Sequence, residues 1–190
     1  ITVTPGTGQS ASVALGDVNR DTAGVAFFRG TGLGSAPGAN IANITFNTPP
    51  ALVGGGGAAG STNISIMPWA YGNTSAAAAQ SSGTNTFVTY GANGVRPLDP
   101  TSEFANSFFA ATAATSNVRL VAADQVVAPK TINSLIVTGS GLITGSSTLT
   151  ISSGALMNPS TAQIECNLNF GPAVGILYAA GNLTLNGAVG

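Results

Sequence analysis

The residues able to do chemistry in this chain are few. Asp17, Asp21, Asp99, Glu103, Asp124 and Glu165 stand against Arg20, Arg29, Arg96, Arg119 and Lys130, with Cys166 as the one thiol and no histidine anywhere. Glycoside cleavage needs two carboxyl groups about 5–10 Å apart, and Asp99 with Glu103, or Asp124 with Glu165, are the pairings the sequence offers. No local cluster of acids with aromatics accompanies them, so capping turns and pairing with Arg96 or Arg119 is the plainer role. A serine nucleophile would lack its histidine base, and a Ser–Lys dyad on Lys130 has no supporting motif.

Other short patterns weigh the same way. Asp17-Val18-Asn19-Arg20-Asp21 places oxygen donors at positions 1, 3 and 5 of a calcium loop, but Thr22 replaces the turn glycine and Phe28 the closing glutamate. A polar turn is the better reading. Gly30-Thr31-Gly32-Leu33-Gly34 lacks the third glycine of a dinucleotide fingerprint, and Ala36-Pro37-Gly38 forbids the helix that must follow. No Gly run leads into Gly-Lys-Ser/Thr. Cys166, in an apolar run, reads as a buried small hydrophobe. Asn43, Asn63, Asn73 and Asn182 head N-x-S/T sequons, as expected in a chain this rich in Asn, Ser and Thr. No cofactor and no metal is expected, and no enzymatic activity.

Composition explains that poverty. Ser, Thr and Asn total 56 of the 190 residues and Gly adds 26, while charged residues make up 6%. The polar surface is built from short, neutral, turn-forming side chains, which suits a structural β protein. The apolar fraction of 44% is enough to offset ordering entropy. The five cations are scattered and the net charge is −1, so neither nucleic acid nor an anionic membrane is an expected partner. No run approaches the roughly 20 apolar residues of a spanning helix. The chain starts at Ile1 and is read as a processed or excised piece that a signal peptide could have preceded. The composition points to an exported, cell-surface protein.

The elements that must carry these residues are strands. β-branched and aromatic residues alternate with small polar ones, closed by Gly, Asn or Pro. Twelve strands are expected: 1–4, 12–15, 25–28, 43–46, 63–67, 87–90, 118–121, 131–137, 148–151, 164–170, 175–178 and 182–185. The fold class is all-β. Two internal echoes favour a parallel β-solenoid over a sandwich: Asn43–Phe46 recurring as Asn63–Ile66, and Leu149–Ile151 recurring as Leu183–Leu185. Stacked rungs set like side chains above like, which disfavours charge. Gly54–Gly60 reads as a wide loop or a corner between coils. Asp99 as N-cap, Pro100, Glu103 and the Phe104/Phe108 pair predict one short helix, continued by Ala110–Ala114. One solenoid domain over 1–190 is expected, as a segment or subunit of a longer fibre.

The sequence resembles the passenger region of bacterial autotransporter-associated β-strand repeat proteins. The likeness is carried by Phe28-Arg29-Gly30-Thr31 to Pro37-Gly38, and by Ile44-Thr45-Phe46 through Gly54–Gly57 to Thr62–Ile66 and Pro68-Trp69-Ala70. It continues in Phe87–Tyr90 through Gly94–Leu98 and from Asn117–Leu120 to Leu149–Ile151. These are degenerate repeat patterns. The resemblance implies a right-handed parallel β-solenoid, exported, with a structural or adhesive role and no catalytic residues. The outer-membrane barrel of a complete autotransporter has no counterpart in this sequence.

The expected function is a structural filament grown head to tail by the chain on its own copies. Ile1 and Val3 at one end would meet Leu183 and Leu185 at the other. The alternative is an adhesin or glycan-binding segment using Trp69 and Tyr71, whose rings would stack on sugars. A polysaccharide lyase or hydrolase is the least favoured.

Overall fold

The computed structural model describes residues 1–18, 20, 24–139 and 141–190. Among them there are sixteen strands and no helix, so the all-β expectation holds. The chain folds as two compact units, one of residues 1–52 and 66–98, the other of 53–65 and 99–190.

The first unit is built from β1 (Thr2–Val3), β2 (Ala11–Leu15), β3 (Ala26–Gly30), β4 (Ala42–Phe46), β5 (Met67–Asn73), β6 (Thr86–Gly91) and β7 (Gly94–Pro97). Strands β1, β3 and β5 pair in parallel, and β2 pairs in parallel with β4, Val13 opposite Ile44 and Leu15 opposite Phe46. From β5 onward the direction changes: β5–β6–β7 is an antiparallel meander. Its tight turn is Ala92-Asn93 between Gly91 and Gly94, a two-residue hairpin that the sequence reading missed. Phe28, Leu33, Ile44, Met67, Val88 and Val95 fill the core between these strands.

The second unit stacks parallel strands in two ladders. Strands β8 (Asn117–Leu120), β10 (Lys130–Val137), β12 (Thr148–Asn158), β14 (Asn167–Asn169) and β15 (Ile176–Ala179) form one. The other is β9 (Asp124–Gln125), β11 (Gly141–Thr144), β13 (Ala162–Ile164) and β16 (Leu183–Leu185). Register makes columns of like residues. Val118, Leu135, Leu156 and Leu177 lie in line across β8, β10, β12 and β15. Ile143, Ile164 and Leu185 lie in line across β11, β13 and β16. All of these residues but Leu177 belong to the apolar core or pack against it.

A second, polar column runs beside the apolar ones. Asn117 donates Nδ2 to Ile64 O at 2.9 Å, and its Oδ1 accepts from Asn133 Nδ2 and Ser134 Oγ, each at 2.8 Å. Ser152 Oγ and Asn158 Nδ2 reach carbonyls 20 and 21 residues back, at Ile132 and Val137. Asn117, Asn133, Ser134, Ser153 and Asn158 are all buried. Backbone and side-chain donors can be buried because each finds its partner one strand below.

Three expectations need correction. Neither sequence echo is a stacked pair: Asn63–Ser65 is not strand, and Leu183–Leu185 lies on Ala162–Ile164 instead of Leu149–Ile151. The expected helix from Asp99 to Thr115 is absent. Its N-cap chemistry forms, with Thr101 N–H and Oγ donating to Asp99 Oδ1 and the Asp99 N–H to Glu103 Oε2. A single turn follows, Glu103 N–H to Asp99 O, and then Ala105 is drawn into a parallel bridge with Val118. Ladder bonding of Ala105 N–H to Asn117 O, at 2.8 Å, takes the donor that a helix would use. The strand expected over 164–170 is broken into β13 and β14, with Cys166 buried between them.

Candidate functional site

Each ladder has an outermost strand, and these strands differ in how they are covered. On β8, Ala105 occupies the outer edge through the bridge to Val118. On β9, Asp124 blunts the edge: Oδ1 accepts the Gln125 N–H at 2.8 Å and Oδ2 the Phe108 N–H at 2.7 Å. Such covering suppresses adventitious strand pairing. Beside β14, Val189 makes a bridge to Leu168. By contrast, among the described residues β15 pairs only with β12 and β16 only with β13. In the first unit, among the described residues, β1 pairs only with β3, β7 only with β6, and β2 and β4 only with each other.

The columns stop with apolar residues half out of the core. Leu156 is fully buried while Leu177, the next in its column, is 44% exposed. Leu168 is buried and Val189, bridged to it, is 53% exposed. Leu183 and Leu185 are half-buried and pack on the core of the second unit. In the first unit Ala11, Val13 and Leu15 are half-buried above Ala42, Ile44 and Phe46.

Of the four residues expected at an assembly face, Leu183 and Leu185 thus sit on an outermost strand. Ile1 is more than half exposed, and Val3 is buried in the first unit's core. Val13, Leu15, Leu177 and Val189 share the same situation and were missed. Their alternation with polar neighbours was readable, but which strand is outermost depends on pairing order, which no local pattern encodes.

Trp69 and Tyr71 lie on β5, in a strand and not in a loop. They are two residues apart, so they share a face, and both are half-buried. Tyr71 stacks on Phe27 at 4.7 Å between centroids with 17° between planes, and the Arg29 guanidinium lies 5.5 Å from the Phe27 centroid. Burial pushes the Tyr71 phenol above its usual pKa. Trp69 packs against the first unit's core.

The described acids accept hydrogen bonds from backbone N–H groups and from neighbouring side chains. Glu103 is buried, and its Oε1 accepts the Gly60 N–H at 2.8 Å while Oε2 holds Asp99 N–H at 2.7 Å. Asp99 also takes Ser102 Oγ at 3.0 Å. Glu165 accepts from Gln163 Nε2, and Asp17 from Thr48 Oγ1. Asp124 and the residue preceding Glu165 are separated by strand β11 in their ladder, two strand spacings or about 10 Å apart along it. Of the candidate calcium loop, Asn19, Asp21 and Thr22 lie outside the described residues. No group of three metal-ligating side chains occurs among the described residues. Lys130 Nζ donates to Ala111 O. Cys166 is buried, which raises its thiol pKa. Gly30–Gly34 forms consecutive turns, Leu33 N–H to Gly30 O and Ser35 N–H to Gly32 O. Among the sequons, Asn43 and Asn73 are buried with their amides hydrogen-bonded, while Asn182 is exposed.

Compared with protein-family models, with curated proteins and with solved structures, the chain matches none.

Proposed function

We propose that the chain is a structural, non-enzymatic β-solenoid that forms or extends a filament at the cell surface by end-to-end stacking of its rungs. The carrying observation is the set of registered apolar columns that end half-exposed at Leu177 on β15 and Leu185 on β16, each strand paired on one side only among the described residues, and at Val189 in its bridge to Leu168. Adding a further rung there continues the ladder and completes the burial of each column. Finishing one such leucine contributes about 1 kcal/mol, and several act together with the backbone bonds of two strands. On the first unit the facing surface would be an outermost pair, β1 with Ile1, and β2 with Val13 and Leu15. Head-to-tail contact between unlike surfaces generates an open fibre. Parallel strands in one sheet join by right-handed crossovers in nearly all proteins, which supports a right-handed coil. Export and an autotransporter-like passenger role rest on the near absence of charge and on the sequence resemblance. The hydrogen bonds that engage Glu103, Asp124 and Glu165 support a mechanical role over a polysaccharide lyase or hydrolase.

Negative-stain electron microscopy across a concentration series tests this reading. Filaments of constant width are expected, lost in Leu177→Asp and Leu185→Asp variants that keep the wild-type far-UV spectrum. Monodisperse single chains by light scattering at every concentration would overturn it.

Trp69 and Tyr71 on one face of β5 support a second reading, an adhesin that stacks on surface glycans. Trp69→Ala with Tyr71→Ala should then abolish glycan-array binding and leave filaments intact.

A further inference from the structure

Phe109 and Val127 are the two most exposed large apolar side chains among the described residues, at 95% and 79%. They come from different stretches of sequence and yet line one groove of about 430 Å³ in the second unit. Holding a phenyl ring in water forgoes about 2 kcal/mol of burial, so two such residues converging on one concavity mark a surface with something to cover. The volume is that of a small-molecule site.

The polar groups in the groove define what could sit there. Its floor and flank are Phe108 and Val126, both buried. Lys130 closes it, with one proton of its ammonium donated to Ala111 O. An ammonium has three donors, so two remain for a ligand. The other charged lining group is Asp124, whose two oxygens take the N–H groups of Phe108 and Gln125, turning that charge toward the backbone. The groove therefore combines an apolar wall with a cation that still has protons to give.

We propose that the groove between Phe109 and Val127 binds a small amphiphilic carboxylate, its apolar body on Phe109, Val126 and Val127 and its carboxyl group on Lys130. A charge-assisted bond at a partly dehydrated ammonium supplies orientation, and the exposed ring supplies contact area.

The experiment titrates 4-phenylbutyrate, 4-phenylbutylamine and 4-phenylbutanol into the full chain, following the Phe109 and Val127 resonances and the heat of binding. The acid is expected to bind at least tenfold more tightly than the amine or the alcohol. Lys130→Gln, which keeps a donor for Ala111 O, should remove that preference about tenfold. Phe109→Ala, at a side chain already in water, should weaken the acid several-fold with unchanged thermal stability. Equal affinity for acid and amine, unaltered binding in either variant, or no binding of the acid would overturn the proposal. So would a Phe109→Ala variant whose only change is in oligomeric state, which would make the groove a contact between copies.

Discussion

At the scale of single residues, the decisive finding is where the asparagines and serines go. Composition presents them as a neutral, soluble surface, and many are exposed, but Asn117, Asn133, Ser134 and Ser153 are buried and bonded from strand to strand. Asn117→Ala removes a donor to Ile64 O and an acceptor for two side chains at once. The expected loss is about 2–4 kcal/mol, because each orphaned buried group adds its desolvation penalty; chemical denaturation measures it. Gly154 has a positive φ of 78° inside β12, where the register with β10 slips, and an added Cβ would lie 2.1 Å from Val174 O. Gly154→Ala should therefore cost at least about 2 kcal/mol, since the residue needs both the left-handed conformation and the missing atom.

Titration of buried groups belongs to the same scale. Burial raises the Cys166 thiol above 9.0 and the Tyr71 phenol above 10.0. The fold favours their neutral forms, so this contribution is fully present below those unfolded values and is lost as pH rises through the folded ones. Stability of the second unit should start to decline above about pH 9, and Cys166→Ala should flatten that part of the pH profile. An unchanged profile in the variant would place the titration elsewhere.

At the scale of elements, residues 99–115 show how correct local signals lead to a wrong element. Asp99, Thr101 and Glu103 make the capping bonds that the sequence announces. No helix follows that single turn, because Ala105 bonds to the outer edge of β8 on either side of Val118, to Asn117 O and from Arg119 N–H. Phe104 and Phe108, read as a helical stripe, are buried as expected, but from turns. The segment acts as a lid on the first strand of its ladder. Ala105→Pro deletes the donor and should expose β8 amides to hydrogen exchange while leaving β12 amides protected. Equal protection in both would refute the lid.

At the scale of the whole molecule, the assembly proposed above would draw on neutral columns, so it should be insensitive to salt. Filament mass is expected to change little between about 0.05 and 1 M NaCl, a range over which the Debye length falls several-fold. Sedimentation at each salt concentration would reveal a steep decline if charge pairs carried the contact.

The sequence by itself determined the class of structure. Short β-branched runs closed by Gly, Asn and Pro make strands the dominant element, and eleven charged residues in 190 leave little for catalysis to use. It also located most strands to within a few residues, β3, β4, β6, β8 and β10 among them. Only the tertiary structure decided which strand lies on which. Alternation says which face of a strand is apolar and nothing about its neighbour, so both repeats by sequence echo proved out of register. Whether Asn117 is surface or spine, whether Ala105 is helix or ladder, and whether Leu177 ends a column or sits inside one all follow from that pairing. Pairing is settled by long-range burial and hydrogen bonding, free energies that no window of residues contains.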